Sequence, residues 1–343
     1  MTTAPTLAER TTLRVGGPAD DWVVAGTEAT LVEGVRAADR DSIPVLLLGG
    51  GSNLLVSDQG FAGVVVQIDT RGIEVRRTAG SVEIAVAAGE PWDDVVSRAV
   101  EQGWSGIEAL SGIPGRTGAT PIQNVGAYGQ DVSQVVTSVR ALDRRDRSVV
   151  DLAPEACGFG YRSSTFKREP DRWVILSVGL RLGLGGLGAV RYHELARVLD
   201  VPVGGMAPVD EIRRAVLALR SGKGMVLDWS DHDTWSAGSF FTNPVVSADV
   251  AATVPAACPR YPSDEGVKLS AAWLIENAGF GKGFALSPSG PAAISGKHTL
   301  ALVNRGGASA EELLALARHI RARVEERFGI TLQAEVRTVG CTF

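Results

Sequence analysis

Cysteine, methionine, histidine and aromatic residues are all scarce in this chain, and long apolar runs are missing. Only three cysteines, Cys157, Cys258 and Cys341, occur in 343 residues. Odd in number and widely spaced, they fit neither a disulfide framework nor a zinc site. They are expected to be inert reduced thiols. No run of about 18 apolar residues is available to span a membrane. The Met-Thr-Thr-Ala-Pro start has no basic n-region and no apolar h-region, so a signal peptide is not expected. The formal net charge of −5 argues against a general nucleic-acid binder, which would show a basic face. Length and composition fit a cytosolic enzyme, long enough for two or three domains and a substantial core.

Glycine, by contrast, is abundant, with 41 residues, and two clusters stand out. The apolar run at 44–48 empties into GGGSN at 49–53. Further on, GIEALSGIPGRTGATPIQNVGAYGQD at 106–131 is too irregular for a helix or a long strand. Glycine permits positive φ and close backbone approach to a ligand. Successive exposed N–H groups in such turns form nests for anions, phosphates above all. Two such turns, the first fed by a strand, suggest one large phosphate-bearing cofactor gripped along its length. Two ordinary long loops would read the same on composition alone.

The coarse organisation is mixed. A strand at 20–25, a helix capped by Thr27 and running to about Arg40, a buried strand at 43–48 and a run at 63–68 make a compact first section. A second section holds an alternating strand at 82–88, a helix opening at Pro91, and strands at 135–143, 148–152 and 173–182. A glycine-rich insertion at 183–206, containing Tyr192, reads as a lid or a surface loop. The third section, from about Gly222, holds a short helix at 273–277, a strand at 299–304 and a well-marked final helix. There Ser309 and Glu312 form a capping box, Leu313, Leu316, Ile320, Val324 and Phe328 recur at helical spacing, and Gly329 sits at C′. A last strand at 330–339 puts Ile330, Leu332, Ala334 and Val336 on one face and Gln333, Glu335 and Arg337 on the other. Many strands with few helices give an α+β class.

The motifs taken in order carry more than any one alone. GGGSN, then the 106–131 segment, then YRSSTFK at 161–167, GSFFTNPVV at 238–246 and AEVRTVG at 334–340 resemble the UDP-N-acetylenolpyruvoylglucosamine reductase (MurB) family of peptidoglycan synthesis. The match runs from about Thr12 to the end of the chain. The resemblance implies a two-part FAD-binding domain of the MurB and vanillyl-alcohol-oxidase-like type plus a separate α+β substrate-binding domain. In this sequence those parts would be 1–75, 76–222 together with 329–343, and 223–328. It implies a monomer that takes hydride from NADPH into noncovalent FAD and passes it to the vinyl carbon of enolpyruvyl-UDP-N-acetylglucosamine, giving UDP-N-acetylmuramate. No histidine attachment pattern for a covalent flavin is present.

Site residues follow from the same resemblance. Gly49, Gly50, Gly51, Ser52 and Asn53 would bind the cofactor. So would Gly112, Ile113, Gly115, Pro121, Gln123, Asn124, Gly126, Ala127 and Tyr128. Arg162 would steady the substrate carboxylate and the enolate, since its planar fork matches two oxygens. Ser239 would protonate C2, and Glu335, its pKa raised by burial, would support the developing charge. Tyr161, Tyr192, Lys223, Asn243 and His298 would contact the substrate, with Lys223 and Tyr192 on its diphosphate and Phe240 and Phe241 in the pocket wall. Arg116-Thr117 depart from the small or apolar residues that many relatives carry after the IPG turn. No residue cluster suggests a metal. Two other readings compete. An oxidase of the same fold needs a base and an oxygen path rather than an enolate clamp. A non-enzymatic nucleotide-binding module would carry no flavin colour.

Overall fold

Strand pairing sorts the chain before any site is considered. The computed structural model describes residues 5–263 and 265–343; the first four residues of the start inspected for a signal peptide lie outside the described residues. Two compact units emerge. One comprises Met1–Ala19, Gly51–Phe61 and Gly222–Phe343, the other Asp20–Gly50 and Ala62–Ser221.

The second of these is built on a five-stranded antiparallel sheet. Its order is Ser148–Leu152, Val136–Asp143, Trp173–Gly183, Ser81–Ala87, Ile73–Arg77. One face receives the helix Trp92–Glu101, which buries Trp92, Val95, Val96, Ala99 and Val100 against Val82, Ile84 and Val178. The other face offers Leu142, Val174 and Leu176 to the helix Glu28–Arg40, which buries Leu31, Val32, Val35 and Ala38. That helix starts where expected, because the Thr27 hydroxyl accepts the Thr30 N–H at 3.1 Å. It shares its core with Val64 and Val66 of a three-stranded sheet ordered Ala19–Ala25, Phe61–Ile68, Val45–Leu48. At the end of Val136–Asp143 the buried Asp143 carboxylate takes two bonds from Arg172, at 2.6 and 2.9 Å.

The insertion differs from the loop or lid that its glycines suggest. Leu187–Ala189 pairs antiparallel with Met206–Pro208, and the helix His193–Leu199 lies between them. Val190, Leu195, Ala196 and Ala207 form a small core with Ala109, Ile212, Ala215 and Val216. Its glycines serve packing and turns: a Cβ on Gly188 would lie 2.0 Å from Glu108 Oε1, and Gly185, Gly186 and Gly204 hold positive φ.

In the first unit, Val245–Val246, Gly266–Leu269 and Arg260–Ser263 form a three-stranded sheet, and Ala292–Ile294 pairs with Leu302–Asn304. The helix Ala310–Phe328 closes the core, with both halves of its capping box formed and Gly329 at φ 65°. The expected strand at 330–339 is regular only over Arg337–Val339, which runs parallel to Leu54–Val56. Its earlier part turns to a different partner: Thr242 N–H donates to Gln333 O at 3.0 Å and Glu335 N–H to Phe240 O at 2.8 Å. These pairings explain why 51–61 and 329–343 cluster with 222–328. Among the described residues no helix is long and apolar enough to cross a membrane.

Candidate functional site

The glycine turns meet backbone to backbone. A Cβ on Gly50 would stand 2.7 Å from Gly115 Cα, so only glycine fits at this crossing. Gly112 and Gly115 hold φ of 69° and 119°, a region costly for residues with a side chain. Asp93 anchors the start of the long loop: one carboxylate oxygen accepts the Gly112 N–H at 2.6 Å and Arg213 Nη1 at 2.6 Å, the other accepts Arg213 Nη2 at 2.8 Å. Burial pushes the Asp93 carboxyl up, but Arg213 and the Gly112 N–H together outweigh it and hold the group below its usual range. Arg116, half-buried, pairs with Asp69 at 3.2 Å, and burial pushes its guanidinium down. Thr117 is fully buried on Glu90 O. This cradle of close-packed glycines and held loop ends fits a phosphate-bearing cofactor such as FAD.

Left-handed backbone marks the rest of the loop and the YRSSTFK turn. Asn124, Tyr128 and Arg162 hold φ of 43°, 48° and 51°. Such positions cost non-glycine residues on the order of 1–3 kcal/mol each and persist only where surroundings enforce them. The enforcement is visible. Arg162 sits in a turn in which Gly160 and Ser163 exchange backbone bonds of 3.0 and 3.2 Å. Its guanidinium donates to Gly126 O at 2.8 Å and Asn124 O at 3.4 Å. Asn124 returns its amide to Gly160 O at 3.1 Å and accepts Ser133 N–H at 3.1 Å. Ser164 caps Thr165–Arg168 and reaches Ile122 O at 2.6 Å. The expected cofactor loop and the YRSSTFK motif are therefore one hydrogen-bonded structure. Tyr161, half exposed, lies against Arg162 at 5.8 Å, and Tyr192 meets Tyr128 edge-on at 5.6 Å.

In the other unit, Ser239 bridges to Ala301 and Phe241 to Ala334. Phe240 N–H donates to Leu300 O at 2.7 Å. Ser239 and Glu335 are thus carried on adjacent segments, and Glu335 is half-buried rather than solvated. Phe240 and Phe241, read from the sequence as pocket wall, lie in the core, Phe240 edge-on and Phe241 tilted against Phe343. Asn243 commits its side-chain oxygen to the Ala271 N–H at 2.9 Å, capping Ala271–Asn277. Lys223, half-buried, precedes Gly224, which holds a left-handed φ of 65° and where a Cβ would lie 2.8 Å from Asp233 O. His298 lies in the turn between Ala292–Ile294 and Leu302–Asn304; beside it Lys297 pairs with Asp231, and Gly296 N–H donates to Asp233 at 2.9 Å.

Three groups escaped the sequence reading. Glu108, fully buried, accepts Gln130 Nε2 at 2.8 Å and Gly106 N–H at 2.5 Å. Asp93 is the second. Arg220, on the helix Val209–Gly222, is nine-tenths buried; burial pushes its guanidinium down, with Tyr128 and Asp93 opposing and Arg162 adding to the shift. An acid in the first turn of a helix, or an arginine in the last, is ordinary, so only the tertiary partners mark them. Among the described residues no group of three His, Cys, Asp or Glu could hold a metal ion.

Known proteins share this architecture. A profile described as "FAD binding domain" matches residues 20–153, and one described as "UDP-N-acetylenolpyruvoylglucosamine reductase, C-terminal domain" matches residues 230–339. The UDP-N-acetylenolpyruvoylglucosamine reductase of Cutibacterium acnes is 52% identical over 98% of this chain and 89% of its own length. That of Streptomyces coelicolor is 52% identical over 97% and 89%. The crystal structure of the Thermus caldophilus enzyme superposes with a TM-score of 0.64 at 27% identity, covering 98% of this chain and 97% of that one. Likeness of this extent, half the residues identical along nearly the whole length, means that the chain belongs to the UDP-N-acetylenolpyruvoylglucosamine reductase (MurB) family.

Proposed function

We propose that this protein reduces the enolpyruvyl ether of UDP-N-acetylglucosamine to the lactyl ether, UDP-N-acetylmuramate, a peptidoglycan precursor, at the expense of NADPH. The observation that carries the reading is the strained, hydrogen-bonded pair Asn124 and Arg162, with Tyr128 also left-handed beside them, because backbone strain of this kind is held where a site needs a fixed geometry. Bound FAD would supply the hydride chemistry, receiving two electrons from NADPH and returning them to the vinyl carbon.

The chain's own groups do the rest. The glycine turns at 49–53 and 112–128 hold the cofactor through backbone N–H groups. The Arg162 guanidinium, oriented by Gly126 O and Asn124 O, grips the substrate carboxylate and steadies the negative charge that develops there. Ser239 Oγ gives its proton to C2, so that the C=C π bond is replaced by one new C–H bond at C3 and one at C2. Glu335 hydrogen-bonds the developing charge and helps return the proton to Ser239. Lys223 and Tyr192 receive the diphosphate, Tyr161 and His298 orient the sugar end, and Asn243 contributes its amide N–H₂, its oxygen being engaged with Ala271. The protein works as a cytoplasmic monomer, in which 1–75 and 76–222 serve cofactor binding and 223–328 serves substrate binding, with 329–343 packed into the same unit as 223–328.

The direct test supplies NADPH and enolpyruvyl-UDP-N-acetylglucosamine to the yellow protein and weighs the product. A product two hydrogens heavier, with NADPH consumed mole for mole, supports the reading. Rapid NADPH oxidation by oxygen alone, with the nucleotide sugar unchanged, would favour an oxidase.

A further inference from the structure

The peptide of Glu335 is held at both of its polar groups by different segments. Its N–H donates to Phe240 O at 2.8 Å, and Phe240 follows Ser239. Its carbonyl accepts the side-chain Nδ2 of Asn53 at 3.2 Å. Two residues on, Arg337 N–H donates to Asn53 O at 3.0 Å and opens the parallel pairing Arg337↔Leu54. A parallel ladder in this register would continue with the Asn53 backbone N–H on the Glu335 carbonyl. The Asn53 side-chain amide reaches the carbonyl at that rung. One residue of the GGGSN turn therefore bonds the catalytic strand twice, once by backbone and once by side chain.

The turn leaves Asn53 little freedom to be elsewhere. Gly51 just before it holds φ 63°, and a Cβ there would lie 2.0 Å from Arg10 O. The Gly51 carbonyl accepts Thr12 N–H at 3.2 Å. Both backbone polar groups of Glu335 are thereby engaged.

We propose that Asn53 is a positioning residue for Glu335: its amide fixes the Glu335 carbonyl and so the direction in which that carboxyl leaves the strand, in register with Ser239. The proposal rests on the assignment of Glu335 to the proton-delivery step. An amide suits the task because it donates without charge; an aspartate at the same place sets a carboxylate against a carbonyl oxygen. A displacement near 1 Å at a reacting group is worth roughly 10²-fold. At saturating FAD, Asn53→Asp and Asn53→Leu should therefore lower the ratio of substrate-driven flavin reoxidation to NADPH-driven flavin reduction by about 10- to 100-fold. Asn53→Gln, which keeps the donor on a longer arm, should recover part of the loss and serves if the other two fold poorly.

A double-mutant cycle gives the decision. If Asn53 acts through Glu335, Asn53→Leu added to Glu335→Gln should lower the ratio by less than about threefold more. Full additivity, equal slowing of both half-reactions, or complete rescue by excess FAD overturns the proposal and leaves Asn53 as a cofactor contact only. Should Glu335→Gln itself reoxidise at the wild-type rate, the assignment of Glu335 fails, and the positioning role falls with it. A slow Glu335→Gln beside a normal Asn53→Leu sinks the positioning role alone.

Discussion

Gly50 offers the sharpest perturbation of the cofactor cradle. Its backbone φ lies outside the left-handed region, so a side chain there is opposed by space alone. The added Cβ would meet Gly115 Cα at 2.7 Å, its carbonyl carbon at 3.2 Å and its nitrogen at 3.5 Å. Carbon atoms prefer roughly 3.5–4.0 Å, so the two turns must part by about 1 Å, and every atom in the way is backbone. Overpacking of this sort costs about 1–3 kcal/mol. If the cost falls on the form that grips FAD, Gly50→Ala should raise the FAD Kd roughly 5- to 140-fold. Gly50→Val, with two more methyl groups, should purify colourless. The assay is titration of apoprotein with FAD, followed by flavin fluorescence quenching. Gly26→Ala is the control, since a Cβ there meets nothing within 4 Å. Wild-type FAD affinity in Gly50→Ala would refute the argument, because the clash is with main chain and has no flexible group to absorb it.

Two further outcomes test other parts of the account. Lys223→Ala should raise the KM for the enolpyruvyl nucleotide about tenfold or more while the bound flavin spectrum stays unchanged, and an unaltered KM removes Lys223 from the diphosphate site. Asp143 is held below the usual carboxylate range by Arg172, against burial, with the Arg145 and Asp146 N–H groups adding to the effect. A depressed carboxyl contributes stability above its unfolded pKa of about 3.9 and loses it as pH falls through the lower folded value. Asp143→Asn should therefore cost about 3–5 kcal/mol near neutrality, a gap to wild type that closes below about pH 4. Urea unfolding at both pH values reads it, and a gap that widens in acid would contradict the ion pair.

Where the local signal and the fold agree, the sequence was readable. Thr27 and the Ser309–Glu312 box cap helices at the residues expected because capping is set by neighbours within one turn. The five-stranded sheet was legible in its strands but not in its order, since pairing joins residues far apart, such as Leu180 with Ile84. The 330–339 strand reads as one element because alternation persists through Ile330, Leu332 and Val336, all buried. Alternation does not reveal that the chain changes partner at Glu335. Glycine content misled at the insertion, where Gly188 serves close packing on Glu108 rather than motion. Of the site, the glycine turns carried their own signature, while the roles of Arg162, Ser239 and Glu335 came from ordered motifs. Asn243 shows the limit: its residue type suits substrate binding and helix capping equally, and only the 2.9 Å bond to Ala271 N–H shows which atom is engaged.

The most direct test of the mechanism separates the two half-reactions in Ser239→Ala by stopped flow. Mixed with NADPH, the variant should bleach at the wild-type rate, because Ser239 takes no part in flavin reduction. Mixed then with enolpyruvyl-UDP-N-acetylglucosamine, it should reoxidise roughly 10²- to 10⁴-fold more slowly, the usual worth of general-acid help, with little change in substrate affinity. Ser239→Cys, which keeps a proton donor, should recover part of the rate. Wild-type reoxidation in Ser239→Ala would contradict the account and move the proton source to Glu335 or to water.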